Sequence, residues 1–352
     1  MAALAATSAF AQSSVTISGT FDANIKSAQT TYAISGNKVT QNSLGYSDQG
    51  TSGIVFKGVE DLGGGLNTIF WYELNFNPTR GSTNLKVAND TPAAGPSATN
   101  QNSSLNNGEI FIGLSGGFGD FKIGSPNTPS LTSQTSRHPF GTKIGGGFGG
   151  VTGVGHVRQD KAISYATPSL GGFTAVLNVA AKVNPDANNV PAADPKVDPV
   201  AKQSAGSSDL GLNFSTGPLN IGMSNFSTSK LDADTSNNKQ TNWYANYTIA
   251  AATVYIGGHN ETSTTGAKSN GTNIALKYMV TPTLALLANT GKLDDKSAAN
   301  KDKRIGALGV KYELSKRSSV YARYVSEKND NATANTGVSN VKTTLVGLNH
   351  NF

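Results

Sequence analysis

Between Phe121 and Gln159 the chain carries Lys122, Arg137, Lys143 and Arg158, adds His138 and His156, and contains no carboxylate. A stretch of one sign, held in a narrow and poorly screened space, concentrates counter-ions, so these residues could select anions. Both histidines can add charge below neutrality. Other chemistries find less support. The GLSGG run at Gly113–Gly117 has nucleophile-elbow spacing, but an elbow needs a strand-to-helix turn with an acid and a histidine, and here a second strand pattern follows. The Gly145–Gly150 tract fits a GxGxxG phosphate loop, yet no helix pattern follows it. His138, His156, His259 and His350 lack metal-ligand spacing, so no metal and no cofactor is expected, and no enzymatic activity. The net charge of +6 is thinly spread, with 14% charged residues and no basic cluster interleaved with aromatics, which argues against nucleic-acid binding.

Such residues need elements to position them, and the chain reads as strands. Val15, Ile17, Gly19, Phe21, Ala23 and Ile25 alternate with Thr16, Ser18, Thr20, Asp22, Asn24 and Lys26, giving one face for lipid and one for water. With 37% hydrophobic residues and 40 Gly, the apolar content is too dilute for an ordinary core of this size. No apolar run approaches the ~18 residues of a membrane helix, which excludes a helical membrane protein. Alternating segments recur at 15–26, 53–61, 66–76, 108–115, 118–125, 160–167, 172–182, 208–215, 217–228, 241–249, 251–262, 271–280, 283–292, 303–313, 317–327 and 342–352. These sixteen predict an all-β, antiparallel transmembrane barrel, since closure leaves no unpaired edge in lipid.

Connections alternate in length. Short turns, such as 61–65 and 116–117, face one side, and long polar loops at 27–52, 77–107, 126–159, 183–207, 229–240, 263–270, 293–302 and 328–341 face the other. The Pro- and Asp-rich run 185–199 reads as solvated loop. Residues 1–11 end in Ala9-Phe10-Ala11 before Gln12 and are expected to be the remnant of a secretion signal, with 12–352 forming a single barrel domain. Absence of Cys fits export through an oxidising compartment. The last strand alternates Thr344, Val346, Leu348, His350 and Phe352 up to the free carboxylate.

Five runs carry a specific resemblance: Phe56–Leu66, Ile110–Gly119, Arg158–Tyr165, Leu314–Arg317 and Val346–Phe352. Over nearly all of 15–352 the chain resembles the β-proteobacterial general porins of the Gram-negative outer membrane. That resemblance implies a sixteen-stranded homotrimer, passive diffusion of ions and small hydrophilic solutes, contact with outer-membrane lipid and lipopolysaccharide, and a C-terminal Phe352 that closes the barrel and is read by the barrel-assembly machinery. It also implies that the third outer loop, 126–159, folds inward as the constriction. Arg158 then matches one member of the family's arginine cluster, while Gly53 and Gly108 stand where two others are expected, so a wider and less selective eyelet is anticipated.

Arg137, His138, Lys143, Arg158 and Lys122 are therefore the expected selectivity residues. By strand phase Lys57, Glu73 and Asp120 join Lys122 on the inward face, because Phe56, Tyr72, Phe121 and Ile123 take the lipid face. Moderate anion preference is the leading expectation. One alternative is a facilitating channel in which Trp71, Phe140, Phe148 and nearby cations bind an aromatic or dicarboxylic anion; another is a structural or adhesive barrel with a plugged lumen.

Overall fold

A computed structural model describes residues 13–79, 106–153, 156–181, 206–230, 235–298, 300–330 and 337–352. The proposed signal remnant and the 185–199 run lie outside the described residues. Strand segments are β1 Ser14–Tyr32, β2 Lys38–Tyr46, β3 Gly53–Gly63, β4 Leu66–Asn75, β5 Asn106–Gly116, β6 Gly119–Ser125, β7 Ala162–Ala166, β8 Phe173–Ala180 and β9 Ser207–Thr216. They continue as β10 Leu219–Thr228, β11 Lys239–Ile249, β12 Ala252–Thr262, β13 Lys268–Thr281, β14 Leu284–Asp295, β15 Lys303–Glu313, β16 Ser318–Asn329 and β17 Val338–Asn351. Among the described residues one short helix, α1, spans Pro129–Thr135.

Each segment pairs antiparallel with its neighbours, and β1 closes the barrel against β17 from Thr20↔Asn351 to Tyr32↔Val338. The opposite edge of β1 pairs first with β3, over Ser14 to Thr20, and then with β2, over Ala23 to Thr31. β2 and β3 are thus one stave interrupted at 47–52, and the closed barrel has the sixteen staves the alternation predicts. The expected loop 27–52 is corrected in part: β1 runs on to Tyr32 and pairs with β2 as a hairpin extension. Thr30, Thr31, Tyr32, Val39 and Thr40 are good strand formers without a continuous apolar face, so lipid-period reading passes over them.

Burial is inverted relative to a water-soluble protein. Ile112, Ile163, Ile274, Leu308 and Val346 are exposed, whereas Asp22, Asn178, Asp209, Asn242, Asn273 and Asn289 are buried. Lipid takes the apolar face, and closure leaves the backbone fully paired where no water is available. At the seam Phe352 N–H donates to Gly19 O at 3.0 Å and Gly19 N–H returns a bond to Phe352 O at 3.1 Å. Gly19 is needed there: a Cβ on it would lie 2.5 Å from Cζ of Phe352. At the opposite extreme of packing, the 61–65 turn holds Gly63, Gly64 and Gly65 all at positive φ, a path that side chains other than glycine resist.

Candidate functional site

The 126–159 segment leaves β6 and is pinned at its base. Asn127 N–H and Nδ2 donate to the Glu109 carboxylate at 3.1 and 3.0 Å, Thr128 N–H donates to Val157 O at 3.0 Å, and Asn127 bridges Arg158. Helix α1 starts because Thr128 caps it, its Oγ1 accepting from Leu131 N–H at 3.1 Å, with Pro129 in the first turn, where its missing N–H costs nothing.

Beyond that point the segment is hydrogen-bonded stave by stave to inward-facing side chains. Ser130 N–H donates to Asp209 on β9 at 2.8 Å, Gln134 Nε2 to Gln240 on β11 at 2.7 Å, and Asn246 Nδ2 to Ser136 O at 3.1 Å. Asn273 on β13 donates to Arg137 O at 2.7 Å, Asn289 on β14 to Gly145 O at 2.9 Å, and Arg323 on β16 to Ile144 O at 2.6 Å. Lys143 Nζ then reaches Thr51 Oγ1 in the turn between β2 and β3. Phe140 and Val151 are buried with Ala285, Leu287, Ile305, Ala307 and Val325, a small apolar patch on the inner face of β14–β16. Burying a phenylalanine contributes about 1.5–3 kcal/mol, so this patch anchors the distal part of the loop while the polar bonds set register.

The turn at 47–52 is itself organised from the wall. Asp22 Oδ2 accepts from Gln49 N–H at 2.8 Å and Gly50 N–H at 2.7 Å, and Tyr321 OH donates to Asp22 Oδ1 at 2.5 Å. Lys26 pairs with Asp48 at 2.6 Å. Arg323 ties the two parts together, donating to Gln49 Oε1 as well as to Ile144 O, with its guanidinium 5.1 Å from the Phe140 ring centroid.

On β3–β7 the inward positions hold mainly to one another, with Glu73 within electrostatic reach of Lys143 at the loop tip. Lys57 pairs across to Trp71 and Trp71 to Phe111, and Lys122 Nζ stands 4.4 Å from the Phe111 ring centroid. Glu73 sits at a bulge between β4 and β5 and accepts from Glu109 N–H at 3.2 Å, while Asp120 accepts from Ser115 Oγ at 2.6 Å. Gly108 is filled from this side: a Cβ there would lie 2.1 Å from the Glu73 carboxyl carbon. Ser115 is thus held in a strand-to-strand hairpin, so the GLSGG run is not an elbow.

A family model described as Gram-negative porin matches residues 1–332. The chain belongs to the Gram-negative porins. Outer membrane porin protein 32 of Delftia acidovorans is 33% identical over 184 residues, 50% of this chain and 46% of that protein. Major outer membrane protein P.IB of Neisseria gonorrhoeae is 28% identical over 190 residues, 53% and 48% of the two chains. The chain spans about half the length of the curated relatives it matches. Its fold is that of an anion-selective porin from Comamonas acidovorans, with a TM-score of 0.72 at 22% identity over 97% of this chain and 100% of the other. OmpT of Vibrio cholerae superposes with a TM-score of 0.65 at 14% identity, over 97% of this chain and 98% of that one. Family and barrel place this porin in the bacterial outer membrane.

Within the porin the expected selectivity residues divide. Lys143 stays half-buried at the loop tip, and burial, the largest influence, lowers its pKa. Arg158 is at the loop base, and Lys57, Glu73, Asp120 and Lys122 lie on β3, β4 and β6. Arg137 and His138 are corrected: they are 0% and 2% exposed, packed between the loop and the wall rather than turned toward open water. Burial pushes His138 down to about 3 and, farther along, His156 to about 4, the latter stacked 3.7 Å from the Phe226 ring. Phe140 is likewise an anchor, not a free stacking surface, while Phe148 remains half-buried. Sequence reading missed Arg323, Asp22 and Tyr321. Their signal was strand phase, since Val320, Ala322 and Tyr324 take the lipid side of β16.

Proposed function

We propose that this porin is a passive diffusion channel for ions and small hydrophilic solutes with a moderate preference for anions, narrowed by the 126–159 segment lying inside the barrel. The observation that carries the proposal is a carboxylate-free loop tied to the inner faces of β9 through β16. Lys143 and Arg158 supply positive potential on the loop side, and Lys57 and Lys122 supply it on the facing wall. Glu73, Glu109 and Asp120 on that wall offset part of the field, which is why the preference is moderate. The working unit is a homotrimer in lipid and lipopolysaccharide, assembled through the C-terminal strand that ends at Phe352.

Planar-bilayer recording across a potassium chloride gradient tests this. Stepwise openings with a reversal potential displaced to the anion side are expected, and Lys143→Ser with Arg158→Ser should move it toward zero. A cation-side potential, or no conductance, would contradict the proposal. A second reading, facilitation of organic anions, is favoured by the row Lys57, Trp71, Phe111 and Lys122, which offers flat rings between cations. Saturable block of the ionic current by benzoate, reduced in Trp71→Ala, distinguishes it from simple diffusion.

A further inference from the structure

Arg137 presents a charge without a counter-charge. Its guanidinium is 0% exposed, Nη2 donates to Thr152 O, and Nε and Nη1 have no partner. Among the described residues no carboxylate pairs with it. Asp209 accepts from Ser130 N–H through Oδ2, and Glu261 accepts from Gln240 Nε2. Burial lowers Arg137 only to about 9, so it remains protonated at neutral pH. A buried charge is tolerated when something of opposite sign or with matching hydrogen bonds lies against it.

The surroundings are built to donate. His138 and His259, both buried and both within the electrostatic reach of Arg137, have ring nitrogens without partners. The Ser133 and Thr152 hydroxyls are also buried and unpartnered. Each neutral histidine offers one N–H and each hydroxyl one O–H, so these four groups add donors to those of Arg137. Two glycines let these side chains lie directly against the wall backbone. A Cβ at Gly257 would lie 2.5 Å from Cβ and Cδ of Arg137, and a Cβ at Gly271 would lie 2.0 Å from Cε1 of His259.

We infer that Arg137, His138 and His259 together bind a small inorganic anion of halide size, which locks the 126–159 segment against β11–β13. Halide suits them because a spherical monovalent ion accepts from several converging donors and needs none in return. The ion would neutralise Arg137, leaving the pore field to cations that are in contact with water, and would make loop docking depend on halide concentration.

The test is diffraction from crystals of the full-length porin equilibrated in sodium bromide, recorded at the bromine absorption edge. An anomalous peak in contact with Arg137 Nε or Nη1 is expected. No peak there, or peaks confined to Lys57, Lys122 and Arg158 along the pore, would overturn the inference. In solution, thermal unfolding at matched ionic strength should give a higher, saturating midpoint in bromide than in gluconate for the native porin. Arg137→Met should abolish that difference. An equal bromide effect in both proteins would also overturn the inference, and if the variant fails to fold, the bromine peak in the native porin decides alone.

Discussion

The wall from β9 to β16 and the wall from β3 to β7 follow the same alternation and use it differently. On the first, Asp209, Gln240, Asn273, Asn289 and Arg323 are buried because each bonds the loop. On the second, Glu73, Asp120 and Lys122 contact the neighbouring wall residues Glu109, Ser115 and Phe111, and Glu73 acts on the loop only at a distance, through Lys143. Polar inward residues alone therefore do not decide where the loop docks. What differs is the apolar patch of Ala285, Leu287, Ile305, Ala307 and Val325, which gives Phe140 a dry seat that β3–β7 lack.

The strongest way to erase this difference is Phe140→Ala. Emptying a buried phenylalanine site costs about 3–5 kcal/mol, enough to release the loop while the closed barrel persists. Larger single-channel steps and protease cleavage within 126–159 are expected; native-sized steps and an uncut loop would show that the patch is not the anchor. Acid acts on the same contact. His156 and His138 are held neutral at about 4 and about 3 against an ordinary 6.5, so a released loop binds more protons than a docked one below pH 6.5. Docking is then fully stable above 6.5 and weakens as pH falls toward 4, by about tenfold per pH unit for each histidine, levelling off below the docked values. Current noise recorded between pH 7 and pH 4 measures this.

A smaller effect is expected from Arg323→Met, which removes the bonds to Ile144 O and Gln49 and leaves a buried carbonyl unpaired. The cost is about 1–3 kcal/mol, seen as flickering of the open channel without a change in barrel content. Asp120→Asn on the β3–β7 wall should be the mildest: stability within about 0.5 kcal/mol, and a reversal potential shifted further to the anion side. A shift toward cations would mean that Asp120 does not face the pore.

Much of this was legible in the sequence. Period-two alternation located the staves, and the terminal run to Phe352 located the seam, because both are imposed residue by residue by lipid on one side and water on the other. Inward phase for Lys57, Glu73, Asp120 and Lys122 rests on the same rule. Lost to it were the fates of Arg137, His138 and Phe140, since a loop has no period and its burial depends on distant partners. Arg137 meets Gly257 more than a hundred residues away in sequence, and Phe140 meets Leu287 farther still. The hairpin extension of β1 and β2 escaped for the opposite reason: it is regular structure without an apolar face.

The central claim is that the loop crosses the interior and rests its tip on the 47–52 turn. The porin has no native cysteine, so Thr51→Cys with Lys143→Cys, treated with a bifunctional maleimide about as long as an extended lysine side chain, reads that contact directly. Efficient bridging within one chain, with single-channel conductance close to the unbridged protein, is the predicted result. Labelling of both cysteines without bridging would contradict it.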